Sequence, residues 1–166
     1  MSKYINGCCI AKAKELSLDG TNVLIPHIVN DVGVWGSGVV IALSKEWPVT
    51  KKFKSPEYHF HENPLFKPNT LGATQFISPE LNITVANMYA QTGVGGKPIR
   101  YEALVKCMRT IADYCEFMLS EHNEKTVLIC PKFGSLRAGG NWDFIEELIN
   151  EIWCDLKVVI CEYTKK

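Results

Sequence analysis

The sequence has no apolar run long enough to span a bilayer, which takes about 20 residues, and Met1-Ser2-Lys3-Tyr4 forms no apolar leader. No membrane partner is therefore expected. It has no excess of either charge: lysine plus arginine and aspartate plus glutamate number 18 each. Surfaces that hold long nucleic acid normally show a basic excess, so no extended nucleic-acid surface is expected, although a nucleotide in a pocket is compatible with this balance. There is no Cys-x-x-Cys, and the seven cysteines are odd in number and follow no disulfide-module spacing. That argues against a zinc ribbon or a disulfide scaffold and for a reduced, cytoplasmic protein with buried thiols. Cys9, Cys107, Cys115, Cys130 and Cys161 lie in apolar stretches and are expected in the core. There is also no repeat, low-complexity tract or linker. The 166 residues, 46% hydrophobic and 22% charged, read as one domain over residues 1–166, expected to be a monomer.

What is present is an alternation of short apolar runs and helical periodicities. Residues 4–10, 23–29, 74–77, 83–89, 126–130 and 156–163 read as strands, with 78–82 as the turn of a hairpin. Residues 38–46, 100–120 and 142–153 read as helices. Leu104, Met108, Ile111, Cys115 and Met118 form one stripe; Ile145, Leu148, Ile149 and Ile152 form another. Residues 50–69, with prolines at 56, 64 and 68, break the pattern and read as an irregular surface excursion. Strands separated by helices imply an α/β layered domain with a mixed, largely parallel sheet, in which ligands bind beyond the carboxyl ends of the strands.

Two glycine-rich segments stand at such ends. Residues 29–38 read Val-Asn-Asp-Val-Gly-Val-Trp-Gly-Ser-Gly, and residues 131–142 read Pro-Lys-Phe-Gly-Ser-Leu-Arg-Ala-Gly-Gly-Asn-Trp. Neither is a Walker A loop or a Gly-x-Gly-x-x-Gly fingerprint. Each leaves a predicted strand and enters a predicted helix, where backbone N–H groups make a site for phosphate. Two of them on one sheet would grip a diphosphate from both sides. Near the first, His27 is either a general acid or base or a core histidine bonded to a carbonyl. Asp31 either orients water or a ribose hydroxyl, or caps the loop. Trp35 either shields a ligand or packs beneath it. Tyr101 is a ribose or base contact, or packing at a helix start. His59 and His61 could face one metal, but no third matched ligand accompanies them, and no metal or cofactor is expected.

Together, these segments resemble the macro domain family, in its Appr-1-p processing branch. Residues 30–38 are similar to that branch's first ligand loop. Val85-Ala86-Asn87-Met88, Gln91-x-Gly93 and residues 98–104 are similar to its central segment, and residues 131–142 to its second loop. The likeness runs from about residue 23 to 163 and is weakest over 50–72. It implies a three-layer α/β/α macro-domain sandwich that binds ADP-ribose or a related nucleotide derivative. It also implies hydrolysis of ADP-ribose-1''-phosphate or an ADP-ribosyl conjugate or, alternatively, binding without turnover. His27, Asn30 and Asp31 match the catalytic positions, with Asn30 near the distal ribose. Gly33, Val34, Trp35, Gly36, Ser37 and Gly38 match the first phosphate loop; Gln91 matches the central segment. Gly134, Ser135, Leu136, Arg137, Ala138, Gly139 and Gly140 match the second loop.

The departures from the family pattern are equally specific. Where the family keeps Gly-Asp to accept the adenine amino group, this chain has Gly7-Cys8, and a thiol is a weak acceptor. Val34 and Leu136 replace usual glycines. Arg137 either pairs with phosphate or stands in solvent. The lysine and aspartate of the branch that removes ADP-ribose from glutamate fall on Ala90 and Ala138, so that mechanism is not expected.

Overall fold

The computed structural model describes residues 2–35, 38–51, 70–135 and 138–162. The expectations for Gly36, Ser37, Leu136, Arg137, His59, His61 and most of the 50–72 excursion lie outside the described residues. The elements run β1 (Lys3–Asn6), α1 (Cys9–Leu18), β2 (Asn22–Asn30), α2 (Val39–Glu46) and a 3-10 turn (Pro48–Lys51). They continue with β3 (Thr74–Glu80), β4 (Ile83–Gln91), α3 (Tyr101–His122), β5 (Thr126–Pro131), α4 (Trp142–Ile152) and β6 (Lys157–Glu162).

One six-stranded sheet has the order β1-β6-β5-β2-β4-β3. All neighbours pair in parallel except β3, which runs antiparallel to β4 at the edge. Side chains of a strand alternate between faces, and here both faces are covered. Val23, Ile25, Val85, Ile129 and Val159 pack against Cys9, Ile10 and Ala13 of α1 and Leu43 of α2. Leu24, Ala86, Met88, Leu128 and Ile160 pack against Leu104, Met108 and Ile111 of α3 and Ile145 and Ile149 of α4. The result is the expected three-layer α/β/α sandwich with a mixed, largely parallel sheet.

The sequence reading extended the first strand to residue 10; the structure ends it at Asn6 and starts a helix at Cys9. That helix carries no start signal, because Cys8 makes no side-chain cap and the first turn has no acidic residue. The hairpin turn is also tighter than residues 78–82. Glu80 and Ile83 are paired, Asn82 takes a positive φ of 65°, and the register shifts between Ile77 and Glu80. Pro79 lies in that irregular stretch of an edge strand, where a missing N–H is tolerated.

The cysteine reading is testable directly. The five cysteines expected in the core are buried, and only Cys8 and Cys154 are exposed. Burial also pushes the Cys9 and Cys115 thiols up to about 12 and the Cys107 and Cys161 thiols up to about 11. Alkylation of the native protein near neutral pH is expected to label Cys8 and Cys154 quickly and the other five only after denaturation; mass spectrometry counts the adducts.

Candidate anion-binding cleft

A proline opens the site. Pro26 sits inside the central strand β2. The ladder from β2 to β5 ends at Leu24↔Leu128, while the ladder from β2 to β4 continues through Pro26 to Asn30. Proline has no N–H to extend the β5 side, so β2 and β5 part at their carboxyl ends. The chain leaving β2 enters α2 on one face of the sheet, and the chain leaving β5 enters α4 on the other. This is a topological switch point, where ligands of open α/β sheets bind.

The first loop is held by Asn30, only 6% exposed. Its Oδ1 accepts from the N–H of Val32 at 3.1 Å and of Val34 at 2.9 Å, and its Nδ2 donates to the Val34 carbonyl at 2.6 Å. Beyond it, Gly38 leads into α2; among the described residues no side chain caps its N-terminus and its first turn has no acidic residue, leaving the amide dipole available to an anion. Val34 is half exposed. Trp35 packs beneath the loop, with its Nε1 donating to the Val40 carbonyl at 2.9 Å and its ring set edge-on to His27 at 5.5 Å between centroids.

His27 is fully buried. Its Nε2–H donates to Asn87 Oδ1, and Asn87 Nδ2 donates to Gln75 Oε1 at 3.0 Å, so a polar ladder crosses three strands in register. His27 Nδ1 has no partner among the described residues. Burial pushes the imidazole down to about 4, against a weaker upward pull from Asn87, so near neutral pH it is an uncharged acceptor. Between pH 6.5 and about 4 the unfolded chain binds a proton at this ring that the native state refuses. Stability contributed here is therefore complete above pH 6.5 and lost on acidification through that window, by up to about 3 kcal/mol. Urea unfolding across this range is expected to show a shallower loss in His27→Gln than in the wild type.

The second loop closes on itself. The Gly140 N–H donates to the Gly134 carbonyl at 2.7 Å. Gly134 has φ 76°, and a Cβ there would lie 2.8–3.1 Å from the Cδ1 atoms of Ile99, Ile28 and Ile145. Ser135 Oγ donates to the Lys132 carbonyl at 2.9 Å. Asn141 caps α4 by accepting from Phe144 N–H, and its own N–H donates to the Tyr101 hydroxyl at 2.8 Å. Tyr101 thus braces the second loop while its ring meets Phe144 edge-on.

Sequence reasoning did not anticipate how a third loop, residues 92–98, ties these two together. The Asp31 N–H donates to the Gln91 carbonyl at 3.0 Å, and Asp31 Oδ1 accepts from Gly93 N–H at 2.9 Å. Gln91 Nε2 donates to the Gly93 carbonyl at 3.0 Å. On the other side, Ile99 N–H donates to the Ala138 carbonyl at 3.1 Å. In the sequence, residues 91–98 read only as a further glycine-rich loop beginning with Gln91-x-Gly93, without sign of the clasp. Cys8 is exposed beyond β1, at the same carboxyl end of the parallel strands. A separate cavity of about 400 Å³, lined by Ile149, Trp153, Cys154, Leu156 and Val158, lies between the end of α4 and the start of β6, at the amino ends of the parallel strands. Among the described residues no helix is long and apolar enough to cross a membrane.

No family model matches the chain. It is 27% identical over 161 residues to the uncharacterized 17.5 kDa protein in the tk-vs intergenic region of Enterobacteria phage T4, covering 97% of this chain and 96% of that one. A solved protein of unknown function from Bacteroides thetaiotaomicron is 30% identical with a TM-score of 0.77, and 97% of each chain is covered. A macrodomain protein from Streptomyces coelicolor is 29% identical with a TM-score of 0.73, covering 99% of this chain and 100% of that one. Thermosipho africanus DarTG, solved in complex with ADP-ribose, is 14% identical with a TM-score of 0.60, covering 85% of this chain and 38% of that one. At that identity the likeness is one of fold.

Proposed function

We propose, for a chain that has the macrodomain fold and belongs to one family with the Bacteroides thetaiotaomicron protein, that the cleft between β2 and β5 binds ADP-ribose or a derivative. The observation that carries this reading is the parting of β2 from β5 at the switch point, with the uncapped N-terminus of α2 on one side and the closed glycine loop on the other. Such a cleft offers backbone N–H groups to a diphosphate. The ADP-ribose held by the structural neighbour DarTG supports the same ligand class. Cys8 gives the base no carboxylate, so affinity rests on the diphosphate and the distal ribose. Gly33, Val34, Trp35 and Gly38 on one side, Gly134, Ser135, Ala138, Gly139 and Gly140 on the other, and Gln91 between them form the binding surface. Calorimetry is expected to show saturable binding of ADP-ribose and much weaker binding of adenosine. Absence of heat with ADP-ribose, at concentrations well above those of the protein, overturns the reading.

Binding without turnover fits the three catalytic candidates best. His27 is sealed beneath Trp35, and both ends of the Asn30 amide hold the first loop. One observation favours a hydrolase as the second reading: Asp31 spends only Oδ1 on Gly93, leaving Oδ2 without a partner among the described residues. In a phosphatase acting on ADP-ribose-1''-phosphate, that oxygen would orient the attacking water, with His27 and Asn30 shaping the floor. Phosphate release by the wild type and its loss in Asp31→Asn would support this second reading; no release at high protein concentration removes it.

A further inference from the structure

We infer that Lys97, on the third loop, supplies the cation that meets the ligand's phosphate, an assignment that rests on the binding reading above. The loop is fastened at both ends to the jaws of the cleft, through Asp31 on one side and Ala138 on the other. Lys97 does not point away from it. A Cβ built on Gly139 would lie 2.8 Å from Lys97 Cγ and 3.1 Å from its Cα and Cβ. The lysine stem is therefore laid across the backbone of the second loop, at a glycine whose φ of 73° and lack of a side chain both permit the approach.

Among the described basic residues beside the loops, charge accounting points to the same residue. Arg100 turns its guanidinium back onto the carbonyls of Lys97 and Ile99. Lys132 is paired with Glu162 at 2.7 Å. Lys97 is exposed, and its ammonium has neither an ion pair nor a hydrogen bond among the described residues. An unspent cation resting on a loop of backbone donors complements a dianionic diphosphate, and a charge-assisted bond of this kind adds to what the N–H groups supply.

The test uses the full chain and two probes, ADP-ribose and inorganic pyrophosphate, with adenosine as the phosphate-free control. Lys97→Gln is expected to weaken ADP-ribose and pyrophosphate about five- to tenfold and to flatten the salt dependence of binding, while Lys97→Arg stays near wild type. The melting temperature should be unchanged, because the side chain is exposed and holds nothing. Equal affinity of wild type and Lys97→Gln for both phosphorylated probes overturns the assignment, as does an equal loss for adenosine. A wild type that binds pyrophosphate through Lys97 but not ADP-ribose supports the cation site and overturns only the ligand reading. A wild type that binds neither overturns both.

Discussion

Gly140→Ala is expected to lose about 3 kcal/mol of stability and all measurable ligand binding. A Cβ at this position would lie 2.4 Å from the Gly134 carbonyl oxygen, a backbone atom that cannot turn aside. It would also meet Ile99 Cδ1 at 2.9 Å and Ile145 Cδ1 at 3.1 Å, both in the core under α3 and α4. The same carbonyl accepts the Gly140 N–H at 2.7 Å, the bond that closes the second loop. Relief of the clash must therefore break that bond or move buried isoleucines, and each adds its own cost. Urea unfolding measures the first effect and calorimetry the second. An alanine variant with wild-type stability would show that the loop is not closed through Gly134. The contrast with Gly95 sharpens the comparison, since a Cβ there meets nothing within 4 Å; Gly95→Ala should be close to neutral in stability.

Much of this architecture was legible because it is written in local periodicity. Leu104, Met108, Ile111 and Cys115 of the α3 stripe are buried and Met118 at its end is partly buried, and the apolar runs of β2, β4 and β5 are buried strands. One whole helix, α1, was missed where local signals were absent. Cys8-Cys9-Ile10 continues an apolar run, and without a capping side chain nothing marks the change from strand to helix. Both loops were marked by their glycines, but the work of several of those glycines was not legible. Gly134 and Gly140 accommodate Ile99, Ile28 and Ile145, contacts from β2, the segment before α3, and α4 that one sequence does not bring together. The same holds for His27, Asn87 and Gln75. Their ladder depends on β2, β4 and β3 lying side by side in a particular register, with His27 and Asn87 sixty residues apart in the chain. Pro26 was visible in the sequence, yet its effect on β5 required knowing which strand lay on its unpaired side.

Asn30→Asp should be the most damaging single-atom change at the site. The acceptor Oδ1 is retained, so the N–H groups of Val32 and Val34 keep their partner. The amide nitrogen that donates to the Val34 carbonyl at 2.6 Å becomes an oxygen, and a stabilising bond turns into repulsion at a position only 6% exposed. Stability is expected to fall by about 2–3 kcal/mol. The new carboxylate also places negative charge beside the proposed diphosphate site, so ADP-ribose affinity should fall about 100-fold or more. Acidification reverses both contributions together, since protonation removes the charge and restores a donor. A protonated carboxyl can again donate to the Val34 carbonyl, so part of the lost affinity should return as the pH is lowered toward about 5. Affinity equal to wild type at neutral pH would mean that the Asn30 amide does not set the loop. Lost affinity with unchanged stability would place Asn30 against the ligand itself, as a contact to the distal ribose rather than as the brace of the loop.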